Sequence, residues 1–307
     1  MPNEFTPQLK SPSTSRWQAF QVRLSMLLGV TLMPLFLVTA MVLLWGRGFS
    51  WVDLGLVIVM YLLTGFGITI GFHRYFSHKS FETSPVMVFI LGVLGSMAWQ
   101  GPLLWWVAVH RSHHKHSDHD GDPHSPHAGH AGPIRGFLHA HFGWLVRPDL
   151  KPLEKYVPDL KADPICRMVD RCFFVWALLG LLIPFVIGGL LTMSWFGAWT
   201  GLLWGGLARI FIEHHVTWSV NSVCHVWGSR PYDSKDHSRN NPIFGVLALG
   251  EGWHNNHHAF PTSARHGLRW WQFDSSWIVI RSMKMLGLVH KVRVPSLDRI
   301  IRRRRVA

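Results

Sequence analysis

Three short clusters contain eight of the chain's 21 histidines, and imidazole is the commonest protein ligand for transition metals. The clusters read His73-Arg-Tyr-Phe-Ser-His78, His110-Arg-Ser-His113-His114 and His254-Asn-Asn-His257-His258. In the second and third clusters the spacing i, i+3, i+4 places all three rings on one face of a helix, within reach of one metal centre. In the first cluster the spacing i, i+5 turns about 140° around a helix axis, which predicts that its two rings bind different ions.

Eight imidazoles are more than one ion needs, because a tetrahedral site uses four ligands or fewer. The surplus predicts two ions of higher coordination number, and ligand type alone leaves iron, zinc, copper and nickel open. Each ring also needs a carboxylate or carbonyl on its second nitrogen. The carboxylates nearest in sequence are Asp118, Asp120, Asp122, Asp236 and Glu251. The histidines interpreted as loop or interface residues include His124, His127, His130, His214 and His215.

The elements that carry these clusters are predicted to be membrane helices, since only 15% of the residues are charged. Uncharged runs long enough to cross a bilayer occupy residues 24–46, 54–72 and 173–208, and the last is suited to two crossings. A further apolar run, 85–109, would separate the first two histidine clusters if it crossed the membrane, so we expect it to be interfacial or re-entrant. The predicted fold is an all-α integral membrane protein with four transmembrane helices and a cytoplasmic helical cap that contains a histidine-rich di-metal site.

Basic residues at the span ends predict the sidedness of the chain. Lys10, Arg16 and Arg23 precede the first span, whereas Arg47 alone lies in the first hairpin loop. Because cytoplasmic segments are enriched in Lys and Arg, both termini and the metal site are expected in the cytoplasm. The membrane is expected to be a bacterial inner membrane rather than the endoplasmic reticulum. The first 23 residues lack the apolar core of a cleaved signal peptide, so the first span is expected to act as the insertion signal.

These assignments divide the chain into six segments. They are a cytoplasmic N-terminal segment (1–23), a first transmembrane hairpin (24–72), a cap with the first two clusters and the interfacial run (73–171), a second transmembrane hairpin (172–217), a second part of the cap with the third cluster (218–275) and a basic C-terminal segment (276–307). The formal charge of +13 does not indicate a nucleic-acid binder, because such proteins do not carry long uncharged apolar runs. Anionic membrane lipid is the expected partner of the basic residues.

In their order and spacing, the three clusters resemble the histidine boxes of the membrane-bound fatty acyl desaturases of the Δ9, or stearoyl, type. The flanking sequences Gly71-Phe-His-Arg-Tyr, Asp122-Pro-His and Gly250-Glu-Gly-Trp-His agree with that family, and the resemblance covers roughly residues 50–275. It implies an O2-dependent enzyme that introduces a cis double bond, at Δ9, into a saturated acyl chain carried on lipid or CoA. The implied cofactors are two iron ions, with O2 as co-substrate.

The resemblance also implies the metal ligands. In the family a ninth histidine follows the fourth span in the pattern Asn-Ser-x-x-His, which Asn221-Ser-Val-Cys-His225 matches. The implied iron ligands are His73, His78, His110, His113, His114, His225, His254, His257 and His258, with Asn221 acting through a water. Asp118, Asp122 and Glu251 are the candidates to orient the rings.

An acyl tunnel is expected in the apolar bundle below the metal site. Its candidate lining residues are Val57, Met60 and Tyr61 at the closed end and Trp106 near the metals. Family members that take acyl-CoA often carry a basic residue shortly before the second box, and the stretch 105–109 has none, which weakens an acyl-CoA assignment. The electrons are expected from a separate ferredoxin-, flavodoxin- or cytochrome b5-like donor, docking on basic residues such as Arg265, Arg269 and Lys284.

Three other functions are possible for a membrane protein with these histidines. A hydroxylase of the same histidine-box superfamily, acting on a lipid, sterol, carotenoid or alkane, would use the same oxidant. A metal transporter would need ionisable ligands inside its spans, and the predicted spans contain none before Arg209. A structural membrane protein would leave the repeated histidine spacing unexplained.

Overall fold

The apolar runs fold into helices in the structure, a computed structural model that describes residues 16–43, 48–129, 132–146 and 153–305. The α-helices are α1 (Arg16–Leu27), α2 (Met33–Leu43), α3 (Trp51–Phe66), α4 (Pro85–Met97), α5 (Leu103–His116), α6 (Pro133–Leu138), α7 (Trp144–Val146), α8 (Pro158–Ala162), α9 (Pro164–Arg171), α10 (Phe173–Thr192), α11 (Trp195–Gly201), α12 (Arg209–Val226), α13 (Pro242–Leu247), α14 (His254–Ala259), α15 (Ser275–Met285) and α16 (Leu297–Arg302). The π-helical segments are Leu28–Leu32, Gly67–Ser77, His139–Gly143 and Leu202–Ala208, and a 3₁₀ turn covers Leu153–Tyr156. Lys10, Arg47 and His130, which entered the sequence predictions, lie outside the described residues.

Three helices are long and apolar enough to cross a membrane, namely Ala19–Val42, Trp51–Ser77 and Phe173–Thr192. The first includes most of α1, the π-helical segment Leu28–Leu32 and α2, and it begins at Ala19, before the predicted start of the span at residue 24. The second begins with a capping box, in which Ser50 and Asp53 satisfy each other's free backbone N–H groups. These helices indicate association with a membrane, as the sequence predicts.

The run 173–208 forms a helical hairpin. α10 ends at Thr192, Met193 adopts a left-handed backbone conformation with φ 49°, and the Ser194 hydroxyl caps α11 by accepting from the Phe196 N–H. A Cβ on Gly188 would lie 2.4 Å from the Gly197 oxygen, so the two limbs pack with their backbones in contact. The returning limb continues through a π-helical segment into α12, whose first residue is Arg209. It is not among the three helices that qualify as spans on their own.

The run 85–109 folds as two helices rather than one. α4 has 13 residues, and the turn that follows contains Trp99 at φ 59° and Gly101 at φ 104° before α5 begins at Leu103. α4 packs closely on the second span, since a Cβ on Gly67 would lie 2.2 Å from the Gly95 nitrogen. Because the chain reverses at this turn, the first two histidine clusters lie on the same side of the segment.

The C-terminal part of the chain folds back onto the histidine-bearing region. Two short strands pair antiparallel, β1 (Glu82–Thr83) with β2 (Val289–His290). The Asp233 N–H donates to the Arg303 carbonyl at 2.9 Å, and the Arg305 N–H donates to the Pro231 carbonyl at 2.9 Å. The Arg303 guanidinium also lies 5.8 Å from the centroid of the Phe260 ring. These contacts place the basic tail beside the third histidine cluster.

Candidate metal centre

The first histidine cluster lies at the end of the second span, where the helix is π-helical from Gly67 to Ser77. In this geometry a backbone N–H bonds to the carbonyl five residues earlier, and the His78 N–H donates to the His73 carbonyl at 3.2 Å. His78 therefore lies beside His73, with ring centroids 4.9 Å apart. The prediction that these two rings bind different ions is wrong, because it assumed the 100° step of an α-helix.

The structure brings nine imidazoles into two groups of converging nitrogens. The first group is His73, His78, His110, His114 and His257, and the second is His113, His225, His254 and His258. Within each group the ligand atoms lie within 4.8 Å of one another. In the second group the His225 Nε2 and His254 Nε2 atoms are 3.0 Å apart, and the His113 Nε2 and His258 Nε2 atoms are 3.4 Å apart. These are the nine histidines that the family resemblance implies.

Each histidine triad contributes to both groups, so the prediction that a triad serves one centre is wrong. On α5, His110 and His114 belong to the first group and His113 to the second. On α14 the division is reversed, because His254 and His258 belong to the second group and His257 to the first. Residues i and i+4 are only about 40° apart around a helix, whereas i+3 and i+4 differ by about 100°. The boundary between the two groups therefore falls between i+3 and i+4.

Carboxylates contact the Nδ1 atoms of four of these rings, so the Nε2 lone pairs are free to face inward. Glu251 lies 2.6 Å from His73 Nδ1, Asp122 3.0 Å from His113 Nδ1, Asp118 2.8 Å from His225 Nδ1 and Asp236 2.5 Å from His258 Nδ1. Among the five candidate carboxylates only Asp120 is exposed. Three of the four contacts are in the second group, so that group is the more strongly supported by negative charge.

Burial and the neighbouring imidazoles lower the pKa values of His110, His114 and His257 well below the ordinary value. These rings are neutral near pH 7, which is the form that binds a metal. Burial by itself would raise the pKa values of Asp118 and Asp236. The His225 and His258 rings that face these carboxylates outweigh burial and keep both pKa values below the ordinary value.

The donor set fits metal ions at both positions. His257 Nε2 lies 3.1 Å from His73 Nε2 and 2.9 Å from His114 Nε2, although one ring nitrogen carries only one proton or one lone pair. Hydrogen bonding between the rings cannot satisfy both contacts, whereas a cation among the nitrogens satisfies all of them. With metal–nitrogen bonds of about 2.1 Å, adjacent ligands of an octahedral ion are about 3.0 Å apart, close to these separations. Imidazole as the main donor indicates a transition metal.

A buried network of charged side chains, not predicted from the sequence, supports the first group. Arg74 is fully buried, donates to Glu251 at 3.2 Å and to Asp274 at 2.9 Å, and also bonds the Ala264 carbonyl at 2.7 Å. His266 Nδ1 lies 3.1 Å from the same Glu251 carboxylate that contacts His73. The only signal in the sequence is the arginine inside the first histidine cluster, because Asp274 and His266 are about 200 residues away from it along the chain.

A second arginine joins the first two clusters. Arg111 donates to the Phe76 and Ser77 carbonyls at 2.7 and 3.1 Å, and it forms a bidentate pair with Asp159 at 2.7 and 3.0 Å. Arg111 thus fixes the end of the first cluster against α5. This role of Arg111 was not predicted from the sequence.

Two cavities meet beside the histidines. The bundle cavity extends from His73, His110, His113 and His254 down to Tyr61 and Glu213. The indole cavity lies between α1, α5, α7 and α12 and is lined by Trp99, Trp105, Trp144 and Trp218, among others. Trp106, His110, Thr217 and Asn221 line both cavities. Asn221 therefore lines a cavity that members of both histidine groups also line.

The structure distinguishes among the predicted tunnel residues. Tyr61 and Trp106 line the bundle cavity, and the Tyr61 hydroxyl donates to the Leu247 carbonyl at 2.6 Å. Met60 is buried and Val57 half-buried, and neither is among the described residues that line this cavity. The carboxyl group of Glu213, which was not predicted from the sequence to lie here, also lines this cavity and accepts from the Thr64 hydroxyl at 2.8 Å.

A third, open cavity of about 650 Å³ lies on the polar side of the histidines. His78, His114 and His258 line it, together with basic residues that include Arg302 and Arg303. We call it the basic cavity. It makes members of both histidine groups accessible from the side opposite the helical bundle.

Several other histidines interpreted as loop or interface residues have defined contacts. His124 is buried, with its ring 4.4 Å from that of His113 and 5.1 Å from that of Trp144. His127 Nε2 lies 2.9 Å from the His225 carbonyl. His214 is buried, lines the indole cavity and lies 3.1 Å from the Ala98 carbonyl. None of these three belongs to either of the two imidazole groups.

Comparison with known proteins identifies similar chains. A family model described as fatty acid desaturase matches residues 49–287. The chain is 42% identical over 268 residues to a hex-5-enoyl-[acyl-carrier protein] acetylenase of Moorena producens, covering 86% of this chain and 84% of the relative. It is 40% identical over 250 residues to an sn-1 stearoyl-lipid 9-desaturase of Anabaena variabilis, covering 80% and 86%. It is 38% identical over 253 residues to an acyl-CoA C20 Delta5-desaturase of Anemone leveillei, covering 81% and 76%.

Proposed function

We propose that this chain, which belongs to the fatty acid desaturase family and is an oxidoreductase of fatty acyl chains, introduces a cis double bond at Δ9. The proposed substrate is a saturated acyl chain carried on a membrane lipid. The observation on which the proposal depends most is the convergence of nine imidazoles in two groups beside the bundle cavity. The relative named as a stearoyl-lipid 9-desaturase supports the position of the bond and the acyl carrier. The absence of basic residues from 105–109 also favours lipid over CoA.

We propose that the two groups bind two iron ions, with five imidazoles around one and four around the other. Iron with open coordination positions supplies, with O2 and two donated electrons, the oxidant that an unactivated methylene requires. The histidines and their carboxylates would hold the ions, and Asn221 would contact an ion through a water. Trp106 and Thr217, which line both cavities, position the acyl chain beside the ions.

The two cavities support a path for the acyl chain. A chain that enters through the indole cavity passes Trp106, His110 and Asn221 and continues into the bundle cavity toward Tyr61. Along α12, Asn221 and Glu213 are eight residues apart, which corresponds to about 12 Å. The part of a C18 chain beyond Δ9 has a similar length. Tyr61 is therefore proposed as the residue that limits chain length, with Val57 and Met60 behind it.

We also propose the topology that the sequence predicts, with four crossings, both termini and the metal site on the cytoplasmic side, and the segment boundaries given above. The fourth crossing is the returning limb of the second hairpin, where α11 and the following π-helical segment are apolar. At its end Arg209 and Glu213 pair at 3.4 Å, and Arg209 also donates to the Gly180 and Met97 carbonyls. A paired charge that also bonds backbone carbonyls is tolerated in such a position.

The electrons are proposed to come from a separate acidic carrier of the ferredoxin, flavodoxin or cytochrome b5 kind. Arg269 and Lys284 are exposed, whereas Arg265 is half-buried and donates to the Gly267 carbonyl at 2.6 Å. Arg302 and Arg303 border the basic cavity, where His78 and His114 are accessible, so an approach there shortens the path for electrons. Reversing the charges of Arg269 and Lys284 is expected to slow turnover more at low than at high ionic strength. Unchanged turnover at low ionic strength would exclude docking at these two residues.

The function is tested by expressing the chain in a host without an aerobic desaturase, together with a ferredoxin and its reductase. Mass spectrometry then gives the position of the double bond and the lipid class, and the His113→Ala variant serves as the control. New Δ9 monoenes in glycerolipid that require His113 support the proposal. Hydroxylated lipid would instead identify a hydroxylase. A triple bond formed from a monoene would identify an acetylenase, the activity named in the relative at 42% identity.

A further inference from the structure

The indole cavity contains several hydrogen-bond donors with no partner. Four of its donor groups are buried and have no hydrogen-bond partner in the described part of the protein, namely the indole N–H groups of Trp99, Trp105 and Trp144 and the hydroxyl of Ser25. All four residues line this one cavity. A buried donor left without an acceptor costs free energy, so a group that enters the cavity with acceptors is stabilised there.

The cavity wall indicates an uncharged ligand. None of the described residues that line it is an Asp, Glu, Lys or Arg. Indole N–H groups and a hydroxyl bind carbonyl oxygens well, whereas a phosphate group would require positive charge. The Trp105 and Trp144 rings stack with centroids 6.0 Å apart, which gives this side of the cavity a rigid apolar surface with polar edges.

The outer side of the cavity is continuous with a surface suited to lipid. Four apolar side chains are exposed along the helical stretch that contains α6 and α7, namely Ile134 (74%), Leu138 (45%), Phe142 (38%) and Val146 (62%). They recur every fourth residue and form one apolar stripe, as in a helix that lies in the membrane interface. Leu145, on the same stretch, lines the cavity and is buried. The cavity therefore opens beside a stretch of chain suited to the level of lipid ester groups.

We propose that the indole cavity binds the ester groups of a membrane glycerolipid, with Trp99, Trp105, Trp144 and Ser25 donating to the ester carbonyl oxygens. This inference rests on the proposed function and names the acyl carrier that the site recognises. The two ester carbonyls of a glycerolipid offer four lone pairs, enough to accept from the three indole N–H groups and the Ser25 hydroxyl. The charged or sugar head group remains outside the cavity, and one acyl chain extends past Trp106 toward the histidines.

The test is a binding experiment on the purified full-length holoenzyme, so it needs no electron donor. The probes are radiolabelled distearoyl-phosphatidylglycerol and its diether analogue, which has the same chains and head group but no carbonyl oxygens. The variants Trp105→Phe and Trp144→Phe keep an aromatic side chain but remove the indole N–H group, and Ser25→Ala removes the hydroxyl. Trp176→Phe is the matched control, because Trp176 Nε1 is also buried without a partner but its side chain does not line the cavity.

For the ester lipid, each cavity variant is expected to weaken binding about two- to tenfold, the value of one hydrogen bond, and the diether lipid should show no such loss. Trp176→Phe should bind both lipids as the wild type does. Equal losses for both lipids, or no loss for either, would overturn the proposal, and so would tighter binding of stearoyl-CoA than of the ester lipid. The proposed function fails separately, if the wild-type chain makes no monoene in the expression host.

Discussion

Asp236 fixes the proton position on one metal-facing histidine, which makes the Asp236→Asn substitution a specific test of the second imidazole group. Asp236 Oδ2 lies 2.5 Å from His258 Nδ1, and Oδ1 accepts from the Ser238 N–H at 3.0 Å and the Ser234 hydroxyl at 2.9 Å. An asparagine must keep its oxygen on the side of the Ser238 N–H. Its NH2 group then faces His258 Nδ1, which favours the tautomer with the proton on Nε2 and removes the lone pair from the metal.

Asp118 offers a contrast within the same group. Asp118 Oδ2 accepts from His225 Nδ1 at 2.8 Å and from the His237 N–H at 2.7 Å. Among the described residues, Oδ1 accepts a hydrogen bond only from the Ser125 hydroxyl, at 3.0 Å. In Asp118→Asn the amide can turn its NH2 group toward Ser125, because a hydroxyl also accepts hydrogen bonds. The tautomer of His225 is then preserved, and only the negative charge is lost.

Removing the partner of a ligand histidine typically costs 10- to 100-fold in metal affinity. We expect Asp236→Asn to lose affinity toward the upper end of that range and Asp118→Asn toward the lower end, while the first group keeps its ion. The measurement is an iron(II) titration against a competing chelator, with the metal content of each variant determined by mass spectrometry. Asp120→Asn, at an exposed position in the same loop, is the control and should bind two ions. Equal losses in the Asp236 and Asp118 variants would refute the tautomer argument, and full affinity in Asp236→Asn would refute the role of the carboxylate.

Three further outcomes are expected. Gly67→Ala should lower the thermal midpoint of the purified protein, because the added Cβ would lie 2.2 Å from the Gly95 backbone, at a cost of about 1–3 kcal/mol. Gly55→Ala is the control and should leave the midpoint unchanged, because nothing lies within 4 Å of its added Cβ; equal midpoints for the two variants would contradict the packing of α4 on the second span. Arg74→Gln should release metal from the first group, because it leaves the Glu251 and Asp274 carboxylates buried without their partner, at a cost of about 3–5 kcal/mol in folding free energy. Unchanged metal content together with unchanged stability would contradict this. Tyr61→Ala should extend the bundle cavity and shift the products toward longer chains in gas chromatography, and an unchanged product profile would exclude Tyr61 as the limit of chain length.

The sequence determined the features that depend on neighbouring residues. The apolar runs predict the membrane helices because length and composition alone decide whether a helix can cross a bilayer. The spacing of the histidines on α5 and α14 places their rings on one side of each helix, and the Asn-Ser-x-x-His pattern supplied His225 through the family resemblance. Sequence proximity also identified the supporting carboxylates, since four of the five acidic residues named from the sequence contact an imidazole ring of the two groups.

Only the tertiary structure decided how these residues combine. The division of each triad between two groups depends on where α5 and α14 face each other, and the joint placement of His73 and His78 depends on a π-helical segment produced by packing. The pairing of His225 with Asp118 joins residues 107 positions apart. The Arg74 network and the unpartnered indoles of Trp99, Trp105 and Trp144 likewise come from distant segments or from separate helices. A local pattern fixes which side of its own helix a side chain occupies, but the partner across a contact belongs to another segment, and the sequence contains no spacing that specifies it.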